Sequence, residues 1–526
     1  MRLWIALTAV LTSAVLYGLA FPSAGLKPLA WVCLVPFLLA LRSVGRWEAL
    51  LLGALLAQLG SSIVADALPS AVSTYYLQPA WVGWAFAIGT WAITGSVYYV
   101  AFAPVYRALG RRTTLALPLL TGAAWAVMEL ARGRLFTGSS FFVGNPWALI
   151  GYSQVGWDPI VQIASLAGIY GVGFVVVAVN AGITEIVWAL WRDPPALPRA
   201  AAGLGLAAAA TLGAFVFGLA ELRRADAWMQ ATTPVPVVVV QADLDLGSQW
   251  RSDFYGRNLD EYLELTREAL GPTPAQIVFW PESALTFFVE DETSLRVQIR
   301  YLLRENGVEL VVGGPHSTDD YPPRYHNSVF LLDDSPGVRG RYDKQYLVPF
   351  TEFFPLRGLD FVRRRFERVR VFEHGGPAEL LPTRAGPAGI LICNEGMLPE
   401  VAGKRARAGA AFLVNPSNDS WIARDKWARM MFDLVSVRAI EQRRFLVRAS
   451  TSGPSAIVDP WGRASVRSQP FSRAVVRGDI RPSRELSLYG RVGDLFVLLC
   501  GISVLGAIVI RRPTRAAAAL QDRVGS

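Results

Sequence analysis

The chain has 526 residues, of which 52% are hydrophobic, and it carries a formal net charge of +9. Its mean hydropathy of +0.33 is typical of a membrane protein and excludes a wholly soluble enzyme, although the length leaves room for a soluble domain. No basic helix with interleaved aromatic residues and no nucleic-acid-binding module occurs in the sequence, so the positive charge does not indicate a nucleic-acid partner.

The hydrophobic residues form long runs on both sides of a mixed, charged middle region. A transmembrane helix needs about 20 mostly apolar residues, and about eight runs approach that length: 3–20, 28–41, 47–68, 80–104, 114–130, 160–190, 200–220 and 492–510. The first run could be mistaken for a signal peptide, but further runs follow it, so we expect a retained helix. We predict a membrane region of about seven helices at 1–221, a soluble domain at 232–487, an anchor helix at 492–510 and a cytoplasmic tail at 511–526.

Basic residues are distributed unevenly among the short loops between these runs. With a cytoplasmic N-terminus, the inner loops and the tail contain Arg42, Arg46, Arg107, Arg111, Arg112, Arg192, Arg199, Arg511, Arg512, Arg515 and Arg523. The short outer loops contain only Lys27, Arg132 and Arg134. Because basic residues are enriched on the cytoplasmic side of membrane proteins, the pattern predicts that residues 222–490 lie outside the cytoplasm.

Short strands and helices alternate in the middle region. Strands are predicted at 234–244, 275–280, 308–315, 327–334, 389–393, 411–419, 445–451 and 455–462, from β-branched and apolar runs. Helices are predicted at 252–270, 292–306, 399–409 and 424–443, from apolar positions at helical spacing. Interleaved strands and helices followed by strand-rich segments indicate a layered α/β domain.

The three cysteines differ in their surroundings. Cys33 and Cys500 fall within predicted membrane helices, where a free thiol usually serves as a small apolar filler, whereas Cys393 is the only cysteine of the predicted soluble domain. An unpaired thiol outside the cytoplasm is a candidate for reactivity, although an inert buried cysteine is the alternative. The histidines show no metal-ligand spacing, and a cysteine–histidine pair of the papain type is difficult to build from them.

Three polar residues of the soluble domain could support acyl chemistry. Glu282 follows a predicted strand and Cys393 ends one, at the carboxyl ends where ligands bind in open α/β sheets. Lys344 lies in a loop-like segment rich in aromatic residues and proline. If Cys393 attacks an acyl group, a glutamate can accept its proton and a lysine can stabilise the oxyanion. This set requires no metal and no cofactor. The alternatives are a helix-capping carboxylate for Glu282 and a solvated surface position for Lys344.

The motifs "WPES", "YDKQYLVPFTEFFP" and "LICNE" carry these residues in the Glu, Lys, Cys order of the carbon-nitrogen hydrolase (nitrilase-like) superfamily, which the domain resembles. Helical runs before and after such a domain, together with "NDSW" and "VSVRAIEQRRFLVRAS", resemble the bacterial apolipoprotein N-acyltransferases. The resemblance implies an α/β/β/α sandwich on a polytopic α-helical bundle of the bacterial inner membrane, with the domain on the periplasmic side.

The resemblance also implies a reaction and its residues. The family transfers an acyl chain from a phospholipid, through a cysteine thioester, to the α-amine of a diacylated apolipoprotein. Carried over by motif, Glu282 is the general base, Lys344 the transition-state stabiliser and Cys393 the nucleophile. Trp250, Glu352 and Glu395 match further positions of the family and are expected to bind substrate around the active-site loops. The alternatives are an interfacial anchor for Trp250 and structural hydrogen-bond partners for Glu352 and Glu395. No cofactor is implied, and we expect a monomer.

Two residues depart from the family pattern. Asn394 stands after the nucleophile, where an aromatic residue is usual, and Thr351 replaces a usual glycine. Neither change removes a reacting group, so the expected effects concern packing around the acyl chain and stiffness of the loop.

Two other functions remain open from the sequence. A membrane-tethered amidase or nitrilase would use the same residues and pass the acyl group to water. A transporter or receptor would use the soluble domain only to bind a ligand, with Asp66, Glu129 and Glu185 as functional acids within the membrane region.

Overall fold

The computed structural model describes residues 3–21, 25–110, 115–135, 144–244, 252–271, 275–355, 358, 371–377, 379–422 and 424–510. The predicted substrate-binding residue Trp250 and the predicted tail at 511–526 lie outside these ranges.

The first part of the chain forms a helical bundle. Its α-helices are α1 (Leu3–Ala20), α2 (Val35–Ser43), α3 (Arg46–Val64), α4 (Leu68–Tyr75), α5 (Ala80–Trp91), α6 (Val97–Gly110), α7 (Leu117–Arg134), α8 (Asp158–Val161), α9 (Ala164–Arg192) and α10 (Leu197–Ala231). Within the described ranges, five helical segments are long and apolar enough to cross a membrane: Leu3–Ala20, Arg46–Val64, Ala80–Gly110, Ala164–Arg192 and Pro194–Ala231. Each predicted apolar run coincides with helix, although the second begins as a 3-10 turn, Lys27–Trp31.

The three acidic residues on which a transporter function would rest each have a fixed partner. Glu129 accepts a backbone hydrogen bond at 2.7 Å. Glu185 pairs with Arg42 at 2.5 Å, and Asp66 pairs with Lys426 of the soluble domain at 3.1 Å. These contacts give the acids structural roles, which weakens the case for a transport pathway.

The soluble domain contains two sheets. Its strands are β1 (Val235–Gln241), β2 (Ile277–Phe279), β3 (Glu309–Ser317), β4 (Tyr325–Leu332), β5 (Gly340–Asp343), β6 (Leu381–Thr383), β7 (Gly386–Ile390), β8 (Phe412–Ser417), β9 (Leu446–Ser450), β10 (Ala456–Val458), β11 (Ala464–Arg467) and β12 (Ala474–Ile480). Among the described residues, two six-stranded sheets have the orders β12-β1-β2-β3-β4-β5 and β11-β10-β9-β8-β7-β6. The centres are parallel, β1 to β3 and β7 to β9, and the edges are antiparallel.

Helices cover the outer faces of these sheets. They are α11 (Tyr255–Leu270), α12 (Thr293–Asn306), α13 (Pro399–Arg407) and α14 (Asp425–Gln442), and the short α15 (Leu488–Val492) and apolar α16 (Leu495–Val509) follow. Between the sheets, Phe279 packs edge-on against Phe412. On one outer face, Tyr262 of α11 stacks on Trp280, with ring centroids 5.0 Å apart. The layers therefore form the expected α/β/β/α sandwich, which is confirmed.

Helix α14 belongs to two hydrophobic cores at once. Phe432 and Val435 pack against the second sheet and α13, whereas Met430, Leu434 and Val437 pack into the core of the membrane bundle. This spacing of three and four residues places the two sets on different faces of the helix. The soluble domain is therefore docked directly on the bundle.

Candidate active site

Glu282, Lys344 and Cys393 lie together at one edge of the two sheets. Each follows a strand, β2, β5 and β7 respectively, and all three side chains are buried. Lys344 Nζ is 3.6 Å from Glu282 Oε1, and the Glu282 carboxylate lies close enough to the Cys393 thiol to raise its pKa. The residues that the sequence singled out therefore form one cluster, in which a thiol, a carboxylate and a cation meet.

Hydrogen bonds hold the Glu282 carboxylate in place. Its Oε2 accepts the backbone N–H of Asn418 at 2.8 Å, and its Oε1 accepts the side-chain amide of Asn327 at 2.7 Å. Asn327 Nδ2 also lies 2.7 Å from Glu352 Oε1, so one amide group bridges two carboxylates. Both acids are thereby oriented around the lysine.

The turn that carries Glu282 depends on a glycine of the neighbouring strand. A Cβ atom on Gly313 would lie 2.6 Å from Glu282 Cα and 2.8 Å from the Pro281 carbonyl oxygen. Both are backbone atoms, which cannot rotate away. The close approach of β3 to this turn therefore requires glycine.

Lys344 is paired more tightly with Glu352 than with Glu282. Its Nζ lies 2.8 Å from Glu352 Oε2 and 3.0 Å from Oε1. Glu352 Oε2 also accepts the backbone N–H of Val348 at 2.7 Å, which closes the loop around the lysine. Glu352 is therefore part of the cluster and fixes the cation beside Glu282.

Cys393 occupies a strained turn. Cys393 has a φ of 50°, in the left-handed region that non-glycine residues seldom adopt, and such strain is often found at functional sites. The side-chain amide of Asn415 donates to the carbonyl oxygens of Leu391 at 2.5 Å and Cys393 at 3.1 Å. Asn415 thus holds both sides of the turn that presents the thiol.

Glu395 links this turn to the lysine loop. Its Oε2 accepts the backbone N–H of Ile392 at 2.8 Å. Its Oε1 accepts the Tyr342 hydroxyl at 2.8 Å and the backbone N–H groups of Gln345 and Tyr346 at 2.8 and 3.1 Å. The side chain is fully buried. Glu395 therefore ties together the two segments that carry Cys393 and Lys344.

Asn394 and Thr351, the two residues that depart from the family pattern, both lie at the loop formed by residues 344–355. Asn394 contacts this loop, and Thr351 is part of it. Asn394 donates its side-chain amide to the Tyr346 carbonyl at 2.9 Å, and its buried Oδ1 has no hydrogen-bond partner among the described residues. Thr351 Oγ1 lies 3.4 Å from the hydroxyl of Tyr76, which directly follows α4 and donates to the Phe350 carbonyl. The loop that carries Glu352 is therefore attached to the membrane bundle.

Burial and charge together set the protonation states of the cluster. Burial raises the pKa of the Glu282 carboxyl, and the Glu352 carboxylate raises it further. The Lys344 ammonium, the Asn327 amide and the Cys393 thiol lower this pKa, but the net shift is upward. Burial also raises the pKa of the Cys393 thiol, and the Glu282 carboxylate adds to this. Burial lowers the pKa of Lys344, but the Glu352 and Glu282 carboxylates more than reverse this and raise it. These raised pKa values favour a neutral thiol beside a charged ammonium group in the resting site.

Three asparagines of the site were not predicted individually, although Asn415 and Asn418 belong to the polar segment "NPSNDSW", 415–421, which follows an apolar run. Asn327 lies within the buried strand β4, Asn415 lies inside β8, and Asn418 directly follows β8. The available signal was their polarity, since a buried polar side chain in a strand needs a partner. Among the described residues, no group of three or more His, Cys, Asp and Glu side chains could hold a metal ion.

Comparisons with known proteins agree with this arrangement. Two family profiles match, Carbon-nitrogen hydrolase over residues 239–486 and Apolipoprotein N-acyltransferase N-terminal domain over residues 13–182. The apolipoprotein N-acyltransferase of Geobacter metallireducens is 32% identical over 514 residues, which cover 96% of this chain and 95% of that protein. Those of Methylococcus capsulatus and Azotobacter vinelandii are 30% and 31% identical, over 86% and 77% of this chain and 82% and 75% of their own lengths. This chain therefore belongs to the apolipoprotein N-acyltransferase family.

Proposed function

We propose that the chain transfers an acyl chain from a membrane phospholipid to the α-amine of a diacylated apolipoprotein, through a thioester on Cys393. The observation that carries this proposal is the buried cluster of Glu282, Lys344 and Cys393 on a domain docked to a membrane bundle. Membership of the apolipoprotein N-acyltransferase family supports the same choice of donor and acceptor.

In the first half-reaction, Cys393 is acylated. Glu282 accepts the thiol proton as Sγ attacks the ester carbonyl carbon, and the ammonium group of Lys344 stabilises the oxyanion, an effect of about 3–4 kcal/mol for one such donor. The ester C–O bond then breaks, and the lysophospholipid alkoxide takes the proton back from Glu282. The raised pKa of Glu282 suits a group that must both accept and return a proton.

In the second half-reaction, the acyl group passes to the acceptor. The α-amine attacks the thioester carbonyl, its proton moves to Glu282, and the C–S bond breaks. The proton on Glu282 then returns to Sγ, which regenerates the resting enzyme with an amide product. Lys344 stabilises the oxyanion of this step as well.

The other predicted residues receive positioning roles in this mechanism. Glu352 fixes the lysine, and Glu395 joins the lysine loop to the nucleophile turn. We propose that both act through these contacts. Trp250 remains a proposed substrate-binding residue at the active-site loops.

The catalytic domain is proposed to face the periplasm, because of the arginine asymmetry of the loops. Both substrates are anchored in the membrane, and extraction of an acyl chain into water would cost about 0.8 kcal/mol per CH₂. Docking on the bundle keeps the cluster near both. The cluster is complete within one chain, which supports a monomeric enzyme.

The periplasmic orientation can be tested with Val297→Cys, because the Val297 side chain is 54% exposed. The new thiol should react with an impermeant maleimide added to intact spheroplasts, and protection of this thiol would contradict a periplasmic catalytic domain.

The thioester is testable with the full-length protein and a phospholipid carrying a labelled acyl chain. Without acceptor, intact-mass analysis should show an acyl adduct that hydroxylamine removes and that Cys393→Ala lacks. Cys33→Ala and Cys500→Ala, which remove buried thiols of the membrane bundle, are matched controls and should keep the adduct. Addition of a diacylglyceryl peptide should discharge the label into an N-acyl peptide.

Two outcomes of the same assay would contradict the proposal. Normal peptide acylation by Cys393→Ala would exclude the thioester. Release of free fatty acid without peptide acylation would favour the membrane-tethered hydrolase instead.

A further inference from the structure

A second polar cleft lies where the soluble domain meets the membrane bundle. This junction cleft has a volume of about 290 Å³ and is lined by residues of α9, α10 and α15 and of the soluble domain. Three guanidinium groups face it, those of Arg224, Arg443 and Arg491. It is separate from the catalytic cluster, because Arg443 precedes β9 whereas Cys393 follows β7, at opposite ends of parallel strands.

The helix ends place this cleft at the level of lipid head groups. In α10 no charged residue occurs between Arg199 and Glu221, a stretch that matches the about 20 residues needed to cross the hydrocarbon core. Glu221 and Arg224 therefore emerge just beyond the core. The first turn of α9 and Arg491, which shortly precedes the apolar α16, reach the cleft from the same side.

Two of the three guanidinium groups have N–H donors that make no hydrogen bond within the described residues. Arg224 Nη1 and Nη2 lie 3.8 and 3.7 Å from the carboxylates of Glu221 and Glu485, too far for a hydrogen bond, and its side chain is 63% exposed. Within the described part of the chain, the Arg491 side chain has no ion pair or hydrogen bond. Arg443, in contrast, is held by Glu221 at 2.5 Å.

The remaining walls are aromatic and apolar. Trp228 and Trp461 lie in the cleft with ring centroids 5.5 Å apart, and tryptophan is enriched at the head-group level of membranes. Leu166, Phe217 and Leu488 line the cleft as well. An inorganic anion would leave these apolar walls uncovered, whereas a lipid would cover them.

From these observations we propose that the junction cleft binds the phosphate of one membrane phospholipid, whose acyl chains remain in the bilayer. Guanidinium groups bind phosphate oxygens in a bidentate manner. Within the described residues the guanidinium of Arg491 has no ion pair or hydrogen bond, and that of Arg224 has only the two long ion pairs with Glu221 and Glu485. The indoles cover the glycerol region. This site is distinct from the one at which Cys393 attacks a donor, and it does not depend on the proposed reaction.

The test is native mass spectrometry of the full-length protein with a dialkyl ether analogue of phosphatidylglycerol, which has no ester for Cys393 to attack. Arg224→Ala combined with Arg491→Ala should retain one lipid fewer than the unmodified protein. The expected affinity loss is about fivefold for each basic residue removed, or about 25-fold together. Arg223→Ala, which removes an exposed arginine of α10 outside the cleft, is the matched control and should bind normally.

Three results would overturn this site. The double variant could retain lipid as the unmodified protein does. A dialkylglycerol without phosphate could bind as well as the phospholipid, or inorganic phosphate alone could displace it at equal concentration. Circular dichroism of each variant shows whether a lost lipid reflects a lost fold.

Discussion

The Lys344 ammonium and the Glu352 carboxylate form an ion pair in which the two side chains are 1% and 8% exposed. A buried charge that loses its partner is uncompensated, and such changes cost about 3–5 kcal/mol. The position of the Lys344 ammonium therefore depends on the Glu352 carboxylate.

The first prediction concerns this pair. Glu352→Gln should lower both the melting temperature and the rate of thioester formation, because Lys344 loses its closest counter-charge. Glu373→Gln is the matched control, since Glu373 is 50% exposed and 3.8 Å from Arg324, a surface pair worth about 0–1 kcal/mol. Unchanged stability and rate in Glu352→Gln would show that Glu282 alone suffices to hold the lysine.

The second prediction concerns pH. Glu282 must be ionised to accept the thiol proton, and burial raises its pKa. The rate of thioester formation should therefore fall as pH falls, with a midpoint above the usual glutamate value of about 4.3. Because the pKa values of Cys393 and Lys344 are also raised, neither should titrate near neutral pH. Single-turnover rates between about pH 4 and 9 measure this, and a midpoint at or below the usual glutamate value would refute it.

The third prediction concerns the bridging amide. Asn327→Leu preserves the approximate volume but removes both hydrogen bonds to Glu282 and Glu352, each worth about 1.5–3 kcal/mol to a charged group. Thioester formation should slow by about a hundredfold or more. Asn306→Leu, an exposed site on α12, is the control. A normal rate in Asn327→Leu would mean that the backbone of Asn418 positions Glu282 without help.

The fourth prediction concerns the close approach at β3. Gly313→Ala should destabilise the protein by about 1–3 kcal/mol, because its Cβ would meet backbone atoms of the Glu282 turn. The displaced turn should also reduce kcat. Gly337→Ala provides the control, since nothing lies within 4 Å of a Cβ there. Thermal unfolding and acyl transfer, measured in parallel, compare the two.

The fifth prediction separates two roles for Glu395. Glu395→Gln removes an acceptor and leaves a buried N–H group unsatisfied, which costs about 1–3 kcal/mol. If the residue positions the two loops, the melting temperature should fall while KM for the phospholipid stays constant. A raised KM with unchanged stability would instead indicate direct substrate binding.

Much of this arrangement follows from local sequence, and the rest depends on pairing between distant segments. The apolar runs predicted the membrane helices, and the order of the three motifs predicted the cluster. Lys344 lies in a loop, as its segment predicted, but the strand directly before it, β5, was not predicted. That strand is only four residues long, and it pairs antiparallel with β4 along its whole length, from Gly340 opposite Leu331 to Asp343 opposite Ser328.

Long-range pairing also explains what was missed at the sheet edge. Strand β12 pairs antiparallel with β1, with Val476 opposite Val239. These segments are far apart in the chain, so no local sequence pattern predicts that the two strands pair. The role of Asn327 was hidden for the same reason, since its two carboxylate partners come from other loops.

The shared packing of α14 has a consequence for substrate access. Because Leu434 faces the bundle and Val435 faces the sandwich, the distance of Cys393 from the bilayer surface is set by packed side chains and not by a flexible tether. A phospholipid and a lipoprotein must each bring their reacting atoms to the same fixed height. Lengthening or shortening the connection after α10 should therefore leave that height unchanged.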